Sequence, residues 1–321
     1  MSTIDAVIGP ALLAATRAPS VHNTQPWRFV VAVPLIEIRL DRDRVLPVAD
    51  PGGREARMSC GAALFNLRLV LQAAGRSVVV DLLPDPRDPD LLAVLRLSSA
   101  RPATPEQLSL ASAVERRMTN RRPFTERPVP SALRHALVHA AELEQAHLVL
   151  LDTPRSLDTL ATLLRRADHL QQEDVAFQRE LLAWTGLNRE DGVPASARGP
   201  RPVGGSLLVP RQYPPTSTME RQFEQDPLVA MLTTPGDTPR DHLLAGIAMQ
   251  RVLLTATVLG LSTSFLSQPV EVLSTRAALR TLLEGSGHPQ TVLRIGYGHP
   301  AARTPRRPVS AVTTIREGVS S

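Results

Sequence analysis

Two glycine-bracketed apolar segments constrain this chain more than any other feature. Gly61 to Gly75 reads GAALFNLRLVLQAAG, and Gly246 to Gly260 reads GIAMQRVLLTATVLG at the same spacing. The first has almost no polar face at helical period, so a helix there must be covered on most sides. In each copy a proline (Pro84, Pro269) follows the second glycine by nine residues. A matching strand follows later, VLRL at Val94 and VLRI at Val292, with a helix over 269–284 inserted before the second. Four landmarks in one order indicate a duplicated α+β unit whose halves pack face to face through their buried helices. The expected division is 1–108 for the first half and 109–321 for the second.

Composition narrows the class. The chain has 321 residues, enough for two domains or one large one. An apolar content of 43% is that of a globular protein with a sizeable core. All 36 basic residues are arginine against 31 acids, a net charge of +5. The single cysteine, Cys60, excludes an internal disulfide framework and a Cys-rich zinc site. The longest apolar run, from Val252 to Leu266, is broken by Thr and Ser and falls short of the roughly twenty residues a bilayer needs. The N-terminus lacks a basic stretch followed by a long apolar one, so a cytoplasmic protein with no membrane partner is expected. Aromatics are only 3%, and the arginines fall in short separate strings, which argues against nucleic acid as a partner. His135 and His139 are four apart without a placed third ligand, so no metal is expected.

Periodicity predicts a helix over 3–18 stopped by Pro19, strands at 28–33 and 36–40, and strands at 76–83 and 93–97. Helices are expected at 109–117 and 130–144, a strand at 146–151, one or two helices over 155–183, and a helix again at 241–259. Between them, 186–240 is dense in proline and glycine and reads as an irregular functional loop, a lid.

Three strings could carry chemistry. The first joins the first helix to the first strand: Pro19-Ser20-Val21-His22-Asn23-Thr24-Gln25-Pro26-Trp27-Arg28-Phe29. It is rich in uncharged hydrogen-bonding groups and stiffened by two prolines, which suits the edge of a flat heteroaromatic; an ordinary capped turn with a core tryptophan has the same composition. The second contains Arg117, Thr119 and Arg121, a fork for a phosphate dianion or, equally, a solvated helix end. The third, Thr304-Pro305-Arg306-Arg307-Pro308, is compact and basic, either the other side of a phosphate clamp or a charged tail.

The string PSVHNTQPWRF resembles the flavin-contacting loop of the FMN-dependent nitroreductase superfamily, and Arg117-x-Thr119-x-Arg121 resembles its phosphate signature. Arg306 and Arg307 sit where that superfamily keeps a C-terminal clamp. The likeness runs over nearly the whole chain, including GGREA from Gly52, the GLSTSFL stretch and PQTVLRIGYG, and is nearest the actinobacterial Acg branch of NAD(P)H nitroreductases. The resemblance implies an α+β nitroreductase-like fold in which one chain forms a pseudo-dimer, with a homodimer of such chains left open. It implies FMN as cofactor, NAD(P)H as reductant and a small-molecule acceptor. The first half would contribute Pro19, Ser20, His22, Asn23, Gln25, Pro26, Trp27 and Arg28. The second would contribute Arg117, Thr119, Arg121, Thr304, Arg306 and Arg307, with backbone amides around Ser264, Leu266 and Ser267 bonding the flavin N5. No side chain needs to act as acid or base, since the chemistry is the flavin's. The Acg branch also admits a second reading, an FMN-storing protein whose lid shuts out substrate.

Overall fold

The computed structural model describes residues 5–316 apart from 186–189, 205, 209, 215, 284 and 286. Helix α1 (Asp5–Thr16) and a 3-10 turn (Val21–Asn23) lead into the antiparallel hairpin β1 (Trp27–Ala32) and β2 (Leu35–Leu40). Helix α2 (Arg54–Ala73) follows, then β3 (Arg76–Leu82) and β4 (Leu91–Ala100). Helix α3 (Pro105–Ala113) starts with a capping box between Thr104 and Gln107, so the expected boundary at residue 108 falls inside a capped helix. Next come α4 (Ser131–Glu142), β5 (His147–Leu151), α5 (Pro154–Glu173) and α6 (Val175–Ala183). The last two part at Asp174, whose side chain accepts from the amides of Ala176 and Phe177 and so starts a new helix.

The two-residue strands β6 (Arg201–Pro202) and β7 (Glu220–Arg221) pair with each other. They precede β8 (Leu228–Thr234), α7 (Pro239–Val258), β9 (Ser262–Phe265), α8 (Gln268–Glu271), α9 (Leu273–Leu282), β10 (His288–Gly296), α10 (Val309–Val312) and β11 (Thr313–Ile315). The expected helix over 269–284 is thus two; its last residue, Glu284, lies outside the described residues, as does Gly186 at the start of the expected lid.

One expectation is corrected here. The stretch 186–240 is not irregular throughout: Leu228–Thr234 is a strand buried at every residue, and Pro239 already begins α7. The apolar run Leu228 to Leu232, continued by Thr233 and Thr234 up to Pro235, is what a strand covered on both faces looks like. The irregular stretch, expected to act as a lid, therefore ends before Leu228.

The strands form two large sheets, β11-β1-β2-β4-β3 and β5-β8-β10-β9. Leaving β11 aside, both repeat one plan. Two antiparallel strands are followed by a long helix, and the next two strands return so that the last in sequence lies second from the edge, beside the strand before the helix. The helices that interrupt the two plans, α2 and α7, are the glycine-bracketed segments, and most of their residues are buried.

Their crossing is reciprocal. A Cβ on Gly61 would stand 2.3 Å from the Leu243 carbonyl oxygen, and one on Gly246 would stand 1.9 Å from that of Met58. Each glycine thus meets the residue three positions before the other, the pattern of a two-fold contact. The closing glycines match as well: Gly75 at φ +76 and Gly260 at φ +73 both end their helices in the left-handed region. A buried amide chain crosses the same core. Gln250 Nε2 donates to Asn66 Oδ1 at 2.7 Å, and Asn66 Nδ2 donates to the Ala14 carbonyl at 2.8 Å, tying α7 to α2 and α1.

Candidate functional site

The loop after α1 is the most strained segment of the first half. His22, Asn23 and Gln25 all have positive φ (49, 60 and 54 degrees), which non-glycine residues rarely adopt. Ser20 Oγ accepts from the Gln25 amide at 2.9 Å and closes the loop on itself. Asn23 bolts it to distant chain: Nδ2 donates to the carbonyls of Pro305 and Gly192 at 3.0 Å each, and Oδ1 accepts from Arg306 Nη1 at 2.9 Å. The loop is thereby held as one rigid shape against segments from the other end of the sequence.

The arginine string begins where α3 ends, the Arg117 amide donating to the Ala113 carbonyl at 2.9 Å. Asn120 donates from its backbone to Thr263 at 2.8 Å and from its side chain to the His299 carbonyl at 2.8 Å. The string's underside rests on Arg294 of β10, which is fully buried, pairs with Glu224 at 2.6 Å and donates to the Arg122 carbonyl at 2.8 Å. Breaking a buried pair of that kind leaves an uncompensated charge, which costs about 3–5 kcal/mol.

These segments enclose one cleft of about 1210 Å³, its open mouth included. Pro19, Ser20, His22 and Asn23 line it, as do Arg117, Thr119, Arg121, Ser264, Ser267, Thr304 and Arg306. Its cationic end is built around two backbone carbonyls just beyond α1. Arg117 Nη2 donates to the Arg17 carbonyl at 3.1 Å, and Arg306 Nη2 donates to the Ala18 carbonyl at 3.1 Å. Other donors of these cleft-lining arginines are unspent: Arg117 Nε and Nη1, Arg306 Nε and Arg17 Nε are buried with no partner in the protein. Among the described residues, no carboxylate lies within ion-pair distance of Arg117 or Arg306. Burial, then neighbouring Arg121, lowers Arg117 to about 10; burial, then Arg117 and Arg17, lowers Arg306 to about 9.

The opposite end is different. Met58 of α2 and Met249 of α7 give it apolar walls, and Ser264 brings an unpartnered hydroxyl. The lid supplies Arg211 and Tyr213. Arg211 forms a buried pair with Glu271 of α8 (Nη2 to Oε2, 2.5 Å) and also donates to Gln171 at 3.0 Å. Tyr213 meets the His22 ring edge-on at 5.7 Å, and the Arg121 guanidinium lies 5.0 Å over its ring. His22 is buried with neither ring nitrogen partnered. Burial first, then Arg211, lowers it to about 3, so the ring is neutral at physiological pH.

Six expected site residues do not reach the cleft. Trp27 is wholly buried in the core, and Arg28, the next along β1, points outward to Asp41 (Nε to Oδ2, 3.0 Å), as strand alternation dictates. Pro26 is buried, and its carbonyl accepts from the Asp41 amide at 2.9 Å. Gln25 is fully buried as a brace, its Oε1 accepting from the Arg307 amide at 2.9 Å. The Arg307 side chain turns to the Ala311 carbonyl at 3.1 Å and toward Asp41. Leu266 lies in the second hydrophobic core with no exposed surface, and its amide is spent on the Val292 carbonyl at 2.9 Å. Residues the sequence left unmarked line the cleft instead: Arg17, Glu55, Arg211 and Tyr213. Only Glu55 had a signal, since it lies within GGREA. Among the described residues no helix is long and apolar enough to cross a membrane.

Two sheets around a paired helix core, with buried arginines lining a shared cleft, define a protein of the nitroreductase fold. A solved "putative nitroreductase" from Anabaena variabilis ATCC 29413 superimposes with a TM-score of 0.51 at 13% identity, over 90% of this chain and 87% of that one. No family model matches the sequence. Relatives in Mycobacterium tuberculosis do. "Putative NAD(P)H nitroreductase acg" is 32% identical over 325 residues, covering 98% of this chain and 97% of its own. "Putative NAD(P)H nitroreductase Rv3131" is 35% identical over 316 residues, 94% of this chain and 89% of its own. The chain belongs to this Acg-like family of NAD(P)H nitroreductases.

Proposed function

We propose that the protein is an FMN-dependent oxidoreductase of nitroreductase type, built as a single-chain pseudo-dimer with one flavin cleft. The observation that carries this reading is the set of buried guanidinium nitrogens of Arg17, Arg117 and Arg306 without partners. A buried charged donor left unpaired costs 1–3 kcal/mol or more, and a phosphate dianion would satisfy several at once. The donor set therefore fits the phosphate of FMN. Arg117 and Arg306 would grip it from two sides, with Ser20, Thr119 and Thr304 as nearby hydroxyls lining the same cleft. The strained loop from Pro19 to Asn23 would present its edge to the ring system, and Met58 and Met249 would exclude water from it. When bound, FMN supplies the redox chemistry, taking a hydride from NAD(P)H and passing electrons to a small-molecule acceptor. His22, neutral and free of hydrogen bonds, offers one ring N–H donor and one acceptor to whatever lies beside it.

The test is an anaerobic FMN titration followed by rapid mixing with NADPH or NADH. Binding with rapid loss of flavin absorbance is expected. Arg117→Ala is expected to weaken FMN binding by about 100-fold, roughly the 3 kcal/mol of charge-assisted bonds it removes. Bound flavin that neither nucleotide bleaches would overturn the oxidoreductase reading.

A further inference from the structure

One buried acid in the cleft has no part in the account above. Glu55 lies in the first turn of α2, is 7% exposed and lines the cleft. Its Oε1 accepts from Arg54 Nη2 at 2.8 Å, while its Oε2 is buried with no partner in the protein. We propose that Glu55 is a ligand-contact residue: its carboxyl group, carried un-ionised, donates a hydrogen bond from Oε2 to an acceptor atom on the rim of the heterocycle held in the cleft. This rests on the flavin reading.

The surroundings explain why this acid stays protonated. Asp50, in the loop before α2, spends its carboxylate on the Ala56 amide at 2.8 Å. Glu271 on α8 is held ionised by Arg211. Two anions therefore face Glu55. Of the cations, Arg211 is committed to Glu271, and Arg54 shares its guanidinium with the Gln290 carbonyl at 2.6 Å. Arg276 of α9 is engaged with Asp237 at 2.7 Å. Burial, followed by Glu271, raises Glu55 to about 8. A carboxylate here would leave an acceptor buried without a donor; a carboxylic acid instead offers an O–H toward the cleft. An occupant with a ring carbonyl or an unprotonated ring nitrogen would complete the bond.

The experiment is the FMN dissociation constant from about pH 6 to pH 10 for the wild type and Glu55→Gln. The amide keeps a donor at the same reach but cannot ionise. Affinities within about threefold are expected near pH 6.5. Above pH 8 the wild type should lose up to about tenfold more affinity per pH unit than the variant, the slope for release of one proton. Arg306 and Arg117 titrate in both proteins, so the ratio of the two affinities isolates Glu55. A ratio constant across the range overturns the proposal and leaves the flavin reading standing; no FMN binding by the wild type at any pH overturns both. If Glu55→Gln does not fold, calorimetry of riboflavin binding to the wild type near pH 8.5 in two buffers decides. Net proton uptake is expected, since riboflavin has no phosphate to involve the arginines, and its absence overturns the proposal.

Discussion

The two halves share a strand plan but differ in what joins their first two strands. In the first, β1 turns directly into β2 through a tight hairpin. In the second, β5 and β8 pair in the same way, yet the chain between them carries α5, α6 and the lid. The first half contributes a strained loop and the backbone just beyond α1. The second contributes the arginine string and the covering segment. The cleft is asymmetric because one connection is elaborated, while the helix crossing stays nearly two-fold.

That comparison can be broken at its centre. Gly61→Ala and Gly246→Ala each place a methyl inside a neighbouring backbone, so both should destabilise by about 3 kcal/mol or more, Gly246→Ala the more severely. Denaturant midpoints of the two variants check this. If one is silent and the other severe, the reciprocity of the crossing fails.

The inserted connection offers the next largest effect. Arg211→Ala leaves Glu271 buried and unpaired, and a loss of about 3 kcal/mol of stability is expected. Chemical denaturation of the unliganded protein measures it. Limited proteolysis should also find the lid cut faster, because Arg211 ties it to α5 and α8 through Gln171 and Glu271.

The effect that appears only on acidification belongs to the strained loop after α1. His22 has its folded pKa lowered from 6.5 to about 3. Between those values the unfolded chain binds the proton and the folded chain does not. Stability should therefore be intact above pH 6.5 and fall as the pH drops toward 3. His22→Asn should flatten that part of the thermal-stability profile; an unchanged acid slope would show that His22 titrates normally in the folded protein.

The sequence disclosed the fold where one residue type has one job. Glycine at fixed spacing in an apolar run marked the helix crossing, because close approach and a left-handed terminus both demand it. Strand β8 was hidden by its flanking prolines and by Thr233 and Thr234, which resemble loop punctuation although the five residues before Thr233 are apolar. In the cleft, the dense string from Pro19 to Asn23 was legible, but its continuation into Trp27 and Arg28 was not. A strand begins there, and alternation sends one residue inward and the next to solvent. Arg17 was not singled out by any string, and Glu55 was marked only as part of GGREA. Arg17 Nε and Glu55 Oε2 become buried without a partner only in the folded chain, and no local pattern encodes it.

The far end of the second half has its own consequence. Strand β11 runs parallel to β1 in the first half's sheet, and the Arg316 amide donates to the Val31 carbonyl at 2.8 Å. The same short stretch, a few residues upstream, delivers Arg306 to the cleft. Closing the sheet's edge and installing the anion grip are thus one event. A polypeptide without that stretch would forfeit the edge strand and the cleft's Arg306 together.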